Sequence, residues 1–454
     1  MKVVLYGLLS LFLIMAPKAT VYAEAKISKA SQAGEVCRGK DQAEWTLLVY
    51  MEANNSLAPF AAYNISDMQR ALLPDNINLL VQWDQPNSNK TWRYRIVNGG
   101  HVEDATLSAM GHHPVQEMVD AMAWARLKYP AKKNALIFWN HGSGVLDPRH
   151  KKINKEYAMG LTIAKPHQTV PWLEIPGLAI QRPAMYSDRG ILYDDSKNTY
   201  VSNQDLITIL STVTSKILGK NLDLLGMDAC LMGMIEVCYQ VKDYAGVLVA
   251  SQNSEPGQGW NYSGFLGELC ANPTCDGPQL GASIVHTYGA FYKPRATDYT
   301  QSAINLSAVG DIKHSLDQII AIIAACKKMS AAETKQAVLS ARKASINFDI
   351  PDYIDLHSFY VALATKFQHL ISSQETKGRL NPQYSAAVAA LLQQLAAGAG
   401  LIAHTVIANT AGTQFPDVRG LSIYYPQGPV QVSYPRTLFA QQSAWLPFIK
   451  EFQP

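Results

Sequence analysis

Short apolar runs rich in β-branched and aromatic residues recur along the first 250 residues, separated by stretches with helical periodicity. The runs are WTLLVYM (45–51), INLLVQW (77–83), ALIFW (135–139), LDLLGM (222–227) and GVLVAS (246–251). Continuous apolar strands of this kind are covered on both faces, which is typical of parallel sheets. Helices between such strands supply the right-handed crossovers that a parallel arrangement requires. The alternation therefore predicts an α/β fold with a mainly parallel sheet flanked by helices.

The rest of the chain completes this pattern and then departs from it. Helices are predicted at 58–71, 115–127, 203–217 and 232–241, and the alternating TWRYRIV (91–97) predicts a strand near a sheet edge. After about residue 300 helical segments dominate, near 311–328, 334–345, 354–370 and 384–408, before a late strand GLSIYY (420–425). We therefore predict one α/β domain over residues 45–300 and a mostly helical α+β extension over residues 301–454. Residues 145–189 show no periodicity, which predicts a long functional or flexible loop.

The first 23 residues have the layout of a secretory signal peptide. The chain opens with MK, continues with an apolar run over residues 3–16 and reaches VYA (21–23), a cleavage-site pattern. The apolar run is shorter than the roughly 20 residues that span a bilayer. We predict cleavage after Ala23, a linker at 24–44, and a secreted or periplasmic mature protein. No membrane association is expected after signal removal, since later apolar windows are interrupted by Lys, Asp or Gln.

Composition and charge narrow the classes of function. With 48% apolar and 17% charged residues the chain is a folded globular protein, not a disordered one. Its formal charge is +3, and loss of Lys2 and Lys18 with the signal peptide leaves about +1. Such a neutral chain is unsuited to nucleic-acid binding by phosphate neutralisation, so no nucleic-acid partner is expected. The absence of GxGxxG and GxxxxGK argues against a nucleotide-binding protein.

The six cysteines do not form the dense pattern of a disulfide scaffold. Export would permit disulfides, and Cys270 and Cys275, which flank ANPT, are candidates for a small bridged loop. Cys37, Cys238 and Cys326 cannot be paired from the sequence, and Cys326 is most simply a buried apolar residue on a helix. Without a CxxC pair or a nearby histidine spacing, a zinc site built on these cysteines is excluded.

Two predicted strands end in reactive side chains, His141 after ALIFW and Cys230 after LDLLGM. Functional groups collect at the carboxyl edge of a parallel sheet, where a thiol and an imidazole can form a nucleophile–base pair. The positive end of the helix predicted after Cys230 would favour the thiolate. The backbone N–H groups of Gly142 and Cys230 could together stabilise an oxyanion.

Asp228 lies two residues before Cys230, so both side chains point to the same side of an extended chain. Its carboxylate could form the floor of a pocket for a cationic side chain. Purely structural interpretations are open for each residue: a cysteine at a strand end often serves packing, a lone histidine is often a surface or core residue, and Asp228 could cap the following turn. His112 and His113 lie in a predicted loop and offer no convincing metal site.

Several segments around these residues carry a family resemblance. They are TLLVYMEANNSL (46–57), ALIFWNHGSG (135–144), LDLLGMDACLMGMIEV (222–237), VASQNSEPGQGW (249–260), YIDLHSF (353–359) and GLSIYYP (420–426). Together they resemble the clostripain family of cysteine peptidases, within the caspase-like superfamily, over roughly residues 45–450. The strand ending in His-Gly and the later strand ending in Asp-Ala-Cys-Leu-Met-Gly are the marks of that family. The resemblance implies a caspase-like fold for the domain at 45–300.

The resemblance also assigns roles. It implies that His141 is the catalytic histidine, that Cys230 is the nucleophile, and that Gly142 and the Cys230 amide form the oxyanion hole. Asp228 matches the acidic residue associated with selecting Arg or Lys before the scissile bond. Family members commonly mature by cutting themselves between histidine and cysteine, and here the basic loop 145–189 occupies that stretch. The candidate processing sites in it are Lys151, Lys152 and Lys155.

Two features of the family are not matched directly. Some members are activated by calcium, but the sequence contains no EF-hand-like loop, so calcium rests on the resemblance alone and no cofactor is required by the sequence. Metal ligands are therefore unassigned. Some relatives carry an acidic residue at the position of Gln258, and its replacement here implies that selectivity rests on Asp228 alone.

We therefore predict a secreted cysteine endopeptidase that cleaves protein or peptide substrates after Arg or Lys. It would use a Cys-His dyad and an acyl-enzyme, and mature by self-cleavage between His141 and Cys230. The alternative is a catalytically silent caspase-like protein with a binding or regulatory role. The sequence leaves the oligomeric state open.

Overall fold

The computed structural model describes residues 42–86, 88–146, 190–379 and 381–453. The predicted signal peptide with its cleavage site after Ala23, nearly all of the linker at 24–44, and Cys37 lie outside the described residues. So do the candidate processing sites Lys151, Lys152 and Lys155, with most of the predicted loop.

Nine strands of the described residues form the central sheet. In chain order the strands of the protein are β1 (Ala43–Glu52), β2 (Ile77–Asp84), β3 (Lys90–Val97), β4 (Gly100–Ser108), β5 (Ala131–Trp139), β6 (Ile191–Asp194), β7 (Thr199–Val201), β8 (Leu222–Asp228), β9 (Ala245–Ala250), β10 (Thr300–Asn305), β11 (Tyr353–Asp355), β12 (Val406–Ala411) and β13 (Ser422–Tyr424). The order across the sheet is β12-β10-β9-β8-β5-β1-β2-β3-β4, while β6 pairs with β7 and β11 with β13.

The five apolar runs of the sequence form the parallel centre of this sheet, as predicted. Strands β2, β1, β5, β8 and β9 are parallel to one another, and antiparallel pairs extend the sheet on both sides. The strand TWRYRIV (β3) was expected near an edge, and the edge itself is β4, a polar and mostly exposed strand with no apolar signal. On the opposite side β12 pairs with β10.

Helices cover both faces of the sheet. They are α1 (Ala58–Met68), α2 (Pro114–Lys128), α3 (Asn203–Thr212), α4 (Ile235–Val241), α5 (Tyr262–Ala271), α6 (Gly277–Tyr292), α7 (Val309–Met329), α8 (Ala331–Ala344), α9 (Leu356–Thr376), α10 (Pro382–Thr405), α11 (Leu438–Gln442) and α12 (Trp445–Glu451). A π-helical turn, Val213–Leu218, continues α3.

Alternate residues of each central strand point to opposite faces, and they define two cores. Leu48 and Phe138 face a core that contains side chains of α2–α4 and α7–α12. Val49 and Ile137 face a core that contains side chains of α1, α5 and α6. Residues beyond 300 supply β10 and β12 to the sheet and much of the first core, so the sheet continues past the predicted boundary.

Helix α10 is the one helix in the described part of the chain whose length and apolar composition would suit a membrane span. In the fold it packs against α7 and α9. Its buried face includes Val388, Leu391, Leu395 and Ile402. The helix therefore packs with one face against the other helices formed by the C-terminal residues.

The cysteines of the described residues are all free thiols. Cys270 and Cys275 are unbridged, so the small disulfide loop considered from their spacing is not formed. Cys238 and Cys326 are buried apolar residues, as the sequence indicated for Cys326.

Candidate active site

The carboxyl ends of β5 and β8 bring His141 and Cys230 together. These two strands are adjacent and parallel, with Trp139 paired to Asp228 at their last residues. The backbone N–H of Asn140 donates to the carbonyl of Asp228 at 3.3 Å. The chain leaves both strands at the same level, so His141, Cys230 and Asp228 all line one cleft.

Cys230 lies in a tight turn directly after β8. Leu231 has φ of +66°, a left-handed conformation that costs energy for a residue with a side chain. The N–H of Leu231 donates to the carbonyl of Asn253 at 3.1 Å, which holds the turn against the segment after β9. The Sγ of Cys230 accepts a hydrogen bond from the N–H of Glu255 at 3.3 Å.

The electrostatics of the thiol differ from the expectation based on a helix dipole. Helix α4 begins only at Ile235, so Cys230 does not lie at its first turn. Burial, with the negative charge of Glu255 adding to it, raises the pKa of Cys230 to about 12. The prediction of a thiolate favoured by the following helix was therefore wrong. In this structure the thiol is protonated at neutral pH, and nucleophilic attack requires a base.

His141 is positioned by polar residues that follow β1. Its Nε2 forms a hydrogen bond with the hydroxyl of Ser56 at 2.9 Å. Its backbone N–H donates to the side-chain oxygen of Asn140, which also accepts from Asn55 at 3.1 Å. The Asn55 amide in turn donates to the carbonyl of Tyr193 at 2.8 Å. Sequence reasoning assigned no role to Ser56 or Asn55, although the polar ANNS after a buried strand marks this sheet edge.

Gly142 lies directly against Cys230. A Cβ at residue 142 would be 2.4 Å from the carbonyl oxygen of Cys230 and 3.1 Å from the Cβ of Ala229. Real atoms do not approach so closely, so glycine is required here. Gly142 also forms an isolated antiparallel bridge with Ile191, the first residue of β6.

Asp228 forms part of the cleft wall and is almost fully buried. Its Oδ2 accepts hydrogen bonds from the hydroxyl of Tyr262 at 2.8 Å and from the N–H of Trp260 at 3.3 Å. Burial raises the pKa of this carboxyl to about 6. Gly259, with φ of +63°, lets the chain turn closely over it, because a Cβ there would lie 2.8 Å from Oδ1.

A second carboxyl group, which sequence reasoning missed, lies beside Asp228. Glu255 is buried, lines the same cleft, and its side chain is within hydrogen-bonding reach of Asp228. Its Oε1 accepts from the amide of Gln301 at 3.0 Å. Gln258, the position considered from the sequence, is buried in the same turn but does not line the cleft.

The cleft is narrow in this structure. It encloses about 20 Å³, which is room for about one water molecule. Besides the groups already described, its walls include Leu57, Trp139, Pro256 and Gly257. A lysine or arginine side chain requires far more space, so the cleft must widen before it admits one.

Three buried carboxylates lie at the ends of β1, β2 and β6. One oxygen from each of Glu52, Asp84 and Asp194 lies within 4.8 Å of the others. The Nζ of Lys197 bonds to Asp194 at 2.9 Å and neutralises part of the charge. The Oδ2 of Asp84 is buried and has no hydrogen-bond partner among the described residues. Oxygen donors with one bare carboxylate oxygen fit a hard divalent cation such as calcium.

Solved structures share this fold. A secreted C11 cysteine protease from Bacteroides thetaiotaomicron, in complex with an irreversible peptide inhibitor, is 20% identical with a TM-score of 0.57, covering 89% of this chain and 99% of that chain. An inactive zymogen C11 protease from Parabacteroides distasonis is 16% identical with a TM-score of 0.53, covering 91% of this chain and 99% of that chain. At these identities the likeness establishes the fold.

The sequence itself identifies the family. Among curated protein sequences none matches the chain. The model of the clostripain family, peptidase family C11, matches residues 49–162 and 177–449, which is most of the chain and includes both strand ends described above. The chain therefore belongs to the clostripain family of cysteine peptidases.

Proposed function

We propose that the protein is a secreted endopeptidase that cleaves after Arg or Lys, with Cys230 as nucleophile and His141 as base. The observation that carries the proposal is the convergence of His141, Cys230 and Asp228 on one cleft at the ends of two adjacent strands. Family membership supports the reaction class, and the buried carboxylate supports the preference for a cationic side chain. The substrates are proteins or peptides with basic residues.

In the first half of the reaction the Cys230 thiol gives its proton to the His141 imidazole. The sulfur then forms a bond to the carbonyl carbon of the substrate, and the carbon–nitrogen bond breaks as the imidazolium returns the proton to the departing amine. Water hydrolyses the resulting thioester, which releases the new carboxylate and restores the thiol. Because burial raises the pKa of the thiol, the proton transfer to His141 is essential to the step.

The tetrahedral intermediates carry a negative oxygen that needs donors. We assign this role to the backbone N–H groups of Gly142 and Cys230, whose residues are in direct contact. The absence of a side chain at Gly142 lets its backbone lie directly against the turn that carries Cys230. Ser56, which bonds Nε2 of His141, is a positioning residue that sets the direction of the imidazole.

Maturation and export complete the proposal. The signal peptide is removed after Ala23, and the exported protein is a zymogen that cuts itself between His141 and Cys230. Lys151, Lys152 and Lys155 are the candidate sites because they supply basic residues in the stretch between the two. The narrow cleft is consistent with a form that has not yet been processed.

Calcium has a candidate site of its own. We propose that Glu52, Asp84 and Asp194 hold it, and that the cation would neutralise their charge and tie β6 to the ends of β1 and β2. Thermal denaturation with calcium, with magnesium and with a chelator tests this without reference to activity. We expect calcium to raise Tm of the wild type by several degrees, and to leave Tm of Asp84→Asn unchanged. Equal Tm values in calcium and chelator would show that Lys197 suffices as the cation of this cluster.

The test of the main proposal is hydrolysis of fluorogenic peptides ending in Arg or Lys, compared between the wild type and Cys230→Ala. We expect cleavage by the wild type under reducing conditions and none by the variant. A wild type that is silent both with and without calcium would favour the alternative, a binding or regulatory protein. On a denaturing gel, intact chains of both proteins after incubation would contradict self-processing. An unchanged preference in Asp228→Asn would remove Asp228 from the pocket.

A further inference from the structure

The cleft contains two carboxyl groups, and their mutual arrangement suggests how a basic side chain is recognised. Asp228 and Glu255 both line it and are both almost fully buried. The backbone of Glu255 also contacts the nucleophile, since its N–H donates to the Sγ of Cys230. Glu255 therefore connects the reacting sulfur with the acidic wall of the cleft. The inference that follows rests on the proposed function.

One carboxyl oxygen of the Asp228–Glu255 pair forms no hydrogen bond within the described residues. Oδ2 of Asp228 accepts from Tyr262 and Trp260, and Oε1 of Glu255 accepts from Gln301. Oε2 of Glu255 is buried and forms no hydrogen bond within the described residues, although the Trp260 side chain faces Glu255. The carboxyl groups nevertheless lie within hydrogen-bonding reach of each other. Two ionised carboxylates only accept, so this contact is satisfied by a shared proton or by a cation between them.

Among the described residues, the groups around the pair do not supply that cation. The ionisable groups that face it are Cys230 and His141 in the cleft and Tyr262, Tyr288 and Tyr292 from α5 and α6. None of these is a lysine or an arginine. Burial, followed by the charge of Asp228, raises the pKa of Glu255 well above its ordinary value. Two carboxyl groups in contact, with no described cation beside them, are satisfied by one shared proton.

We propose that Glu255 is a second specificity-determining carboxyl, and that the Asp228–Glu255 pair exchanges its shared proton for the cationic side chain of the substrate. The proton leaves to solvent as the ammonium or guanidinium group enters between the carboxylates. The pocket then carries a single negative charge both before and after binding. A neutral side chain of the same shape cannot displace the proton, because it would leave two adjacent carboxylates uncompensated.

This arrangement changes the expectation drawn from Gln258. Both Nε2 and Oε1 of Gln258 lack partners among the described residues, and the side chain does not line the cleft. Glu255, three residues earlier on the other side of the Pro256-Gly257 turn, reaches the cleft instead. Selectivity therefore does not rest on Asp228 alone.

The first test compares kcat/KM for two peptides that differ only in having arginine or citrulline before the scissile bond. For the wild type the arginine peptide is strongly preferred. In Glu255→Gln we expect the arginine-to-citrulline ratio to fall by roughly 10- to 100-fold, the range for a hydrogen bond to a charged group. Glu236→Gln, which removes another buried carboxyl that does not line the cleft, is the matched control and keeps the ratio.

The second test counts protons. Titration calorimetry of Cys230→Ala with a product-like peptide ending in arginine is run at pH 7.5 in buffers of different ionisation enthalpy. We expect about one proton released for each peptide bound, as the shared-proton arrangement requires. The double variant Cys230→Ala, Glu255→Gln releases none, because amide and carboxylate satisfy each other without a shared proton.

The outcomes separate this inference from the function on which it rests. A wild type that prefers arginine, together with Glu255→Gln that keeps the same ratio and proton release, overturns the inference and leaves the proposed function standing. A wild type that cleaves no basic peptide overturns both. If Glu255→Gln does not fold, Glu255→Asp replaces it: we expect proton release to persist and the ratio to fall, and an unchanged ratio refutes the role.

Discussion

Glu236 offers a quantitative test of how burial acts on ionisable groups in this fold. It lies on α4 with no exposed surface, and its Oε1 accepts from the N–H of Tyr424 at 2.9 Å and the hydroxyl of Tyr434 at 3.0 Å. Its Oε2 has no partner within the described ranges. Burial raises the pKa of this carboxyl from the ordinary 4.5 to about 7. The groups that face it are Tyr434, Tyr424 and the thiol of Cys238.

The raised pKa has a definite sign in the stability of the protein. Between pH 4.5 and 7 the folded protein holds a proton on Glu236 that the unfolded chain releases. The free energy of unfolding must therefore fall as pH rises through this interval, by about 1.4 kcal/mol per pH unit and about 3 kcal/mol in all. Glu236→Gln removes the titration while its side-chain oxygen can still accept from Tyr424 and Tyr434.

Urea unfolding of the wild type and Glu236→Gln at pH 5 and pH 8 measures the effect. The difference between the two free energies of unfolding should shift by about 2.5 kcal/mol in favour of the variant as pH rises from 5 to 8. A constant offset from the buried amide cancels in this comparison. The slope of the wild type alone is not diagnostic, because Asp84 and Asp228 also have raised pKa values. Parallel pH profiles for the two proteins would refute the reasoning.

Three further predictions follow, two from contacts at the cleft and one from the free cysteines. Gly142→Ala places a Cβ 2.4 Å from the carbonyl oxygen of Cys230, so kcat/KM should fall by more than about 100-fold. A variant with wild-type kinetics would contradict the oxyanion assignment. Ser56→Ala should lower kcat/KM by roughly 2- to 10-fold and shift the acid limb of the pH profile of kcat/KM. Ser56→Thr, which keeps the hydroxyl, should restore both. An unchanged pH profile in Ser56→Ala would exclude a positioning role. Alkylation of the unfolded protein without reductant should modify both Cys270 and Cys275, and a bridged peptide in the mass spectrum would contradict the free thiols.

The parallel centre of the fold was predictable because burial on both faces leaves a direct trace in the sequence. Each of the five apolar runs became a strand in the expected position. The sequence of β4, GHVEDATLS, contains no apolar run, because this strand is mostly exposed and pairs only with β3. The helix predicted near 384–408 extended into the first half of β12, and pairing with β10 makes residues 406–411 a strand.

The site shows the same division between local and non-local information. His141 and Cys230 were found from strand ends and motif, both local properties of the sequence. Glu255 was missed because its contact with Asp228 depends on how the chain folds back after β9, which spacing does not reveal. The prediction that Cys230 is a thiolate was wrong. The helix that follows it is a local feature, and its effect is outweighed by burial, which depends on the packed molecule.

The pairing of β5 with β8 has a consequence for a chain cut between residues 147 and 189. One fragment would retain β1–β5 and the other β6–β13, yet the register from Ala135 with Leu224 to Trp139 with Asp228 crosses the cut. Backbone hydrogen bonds in the middle of a buried sheet, and the two cores on its faces, would hold the fragments without a covalent link. Such a protein would run as two bands on a denaturing gel and elute as one species from a sizing column.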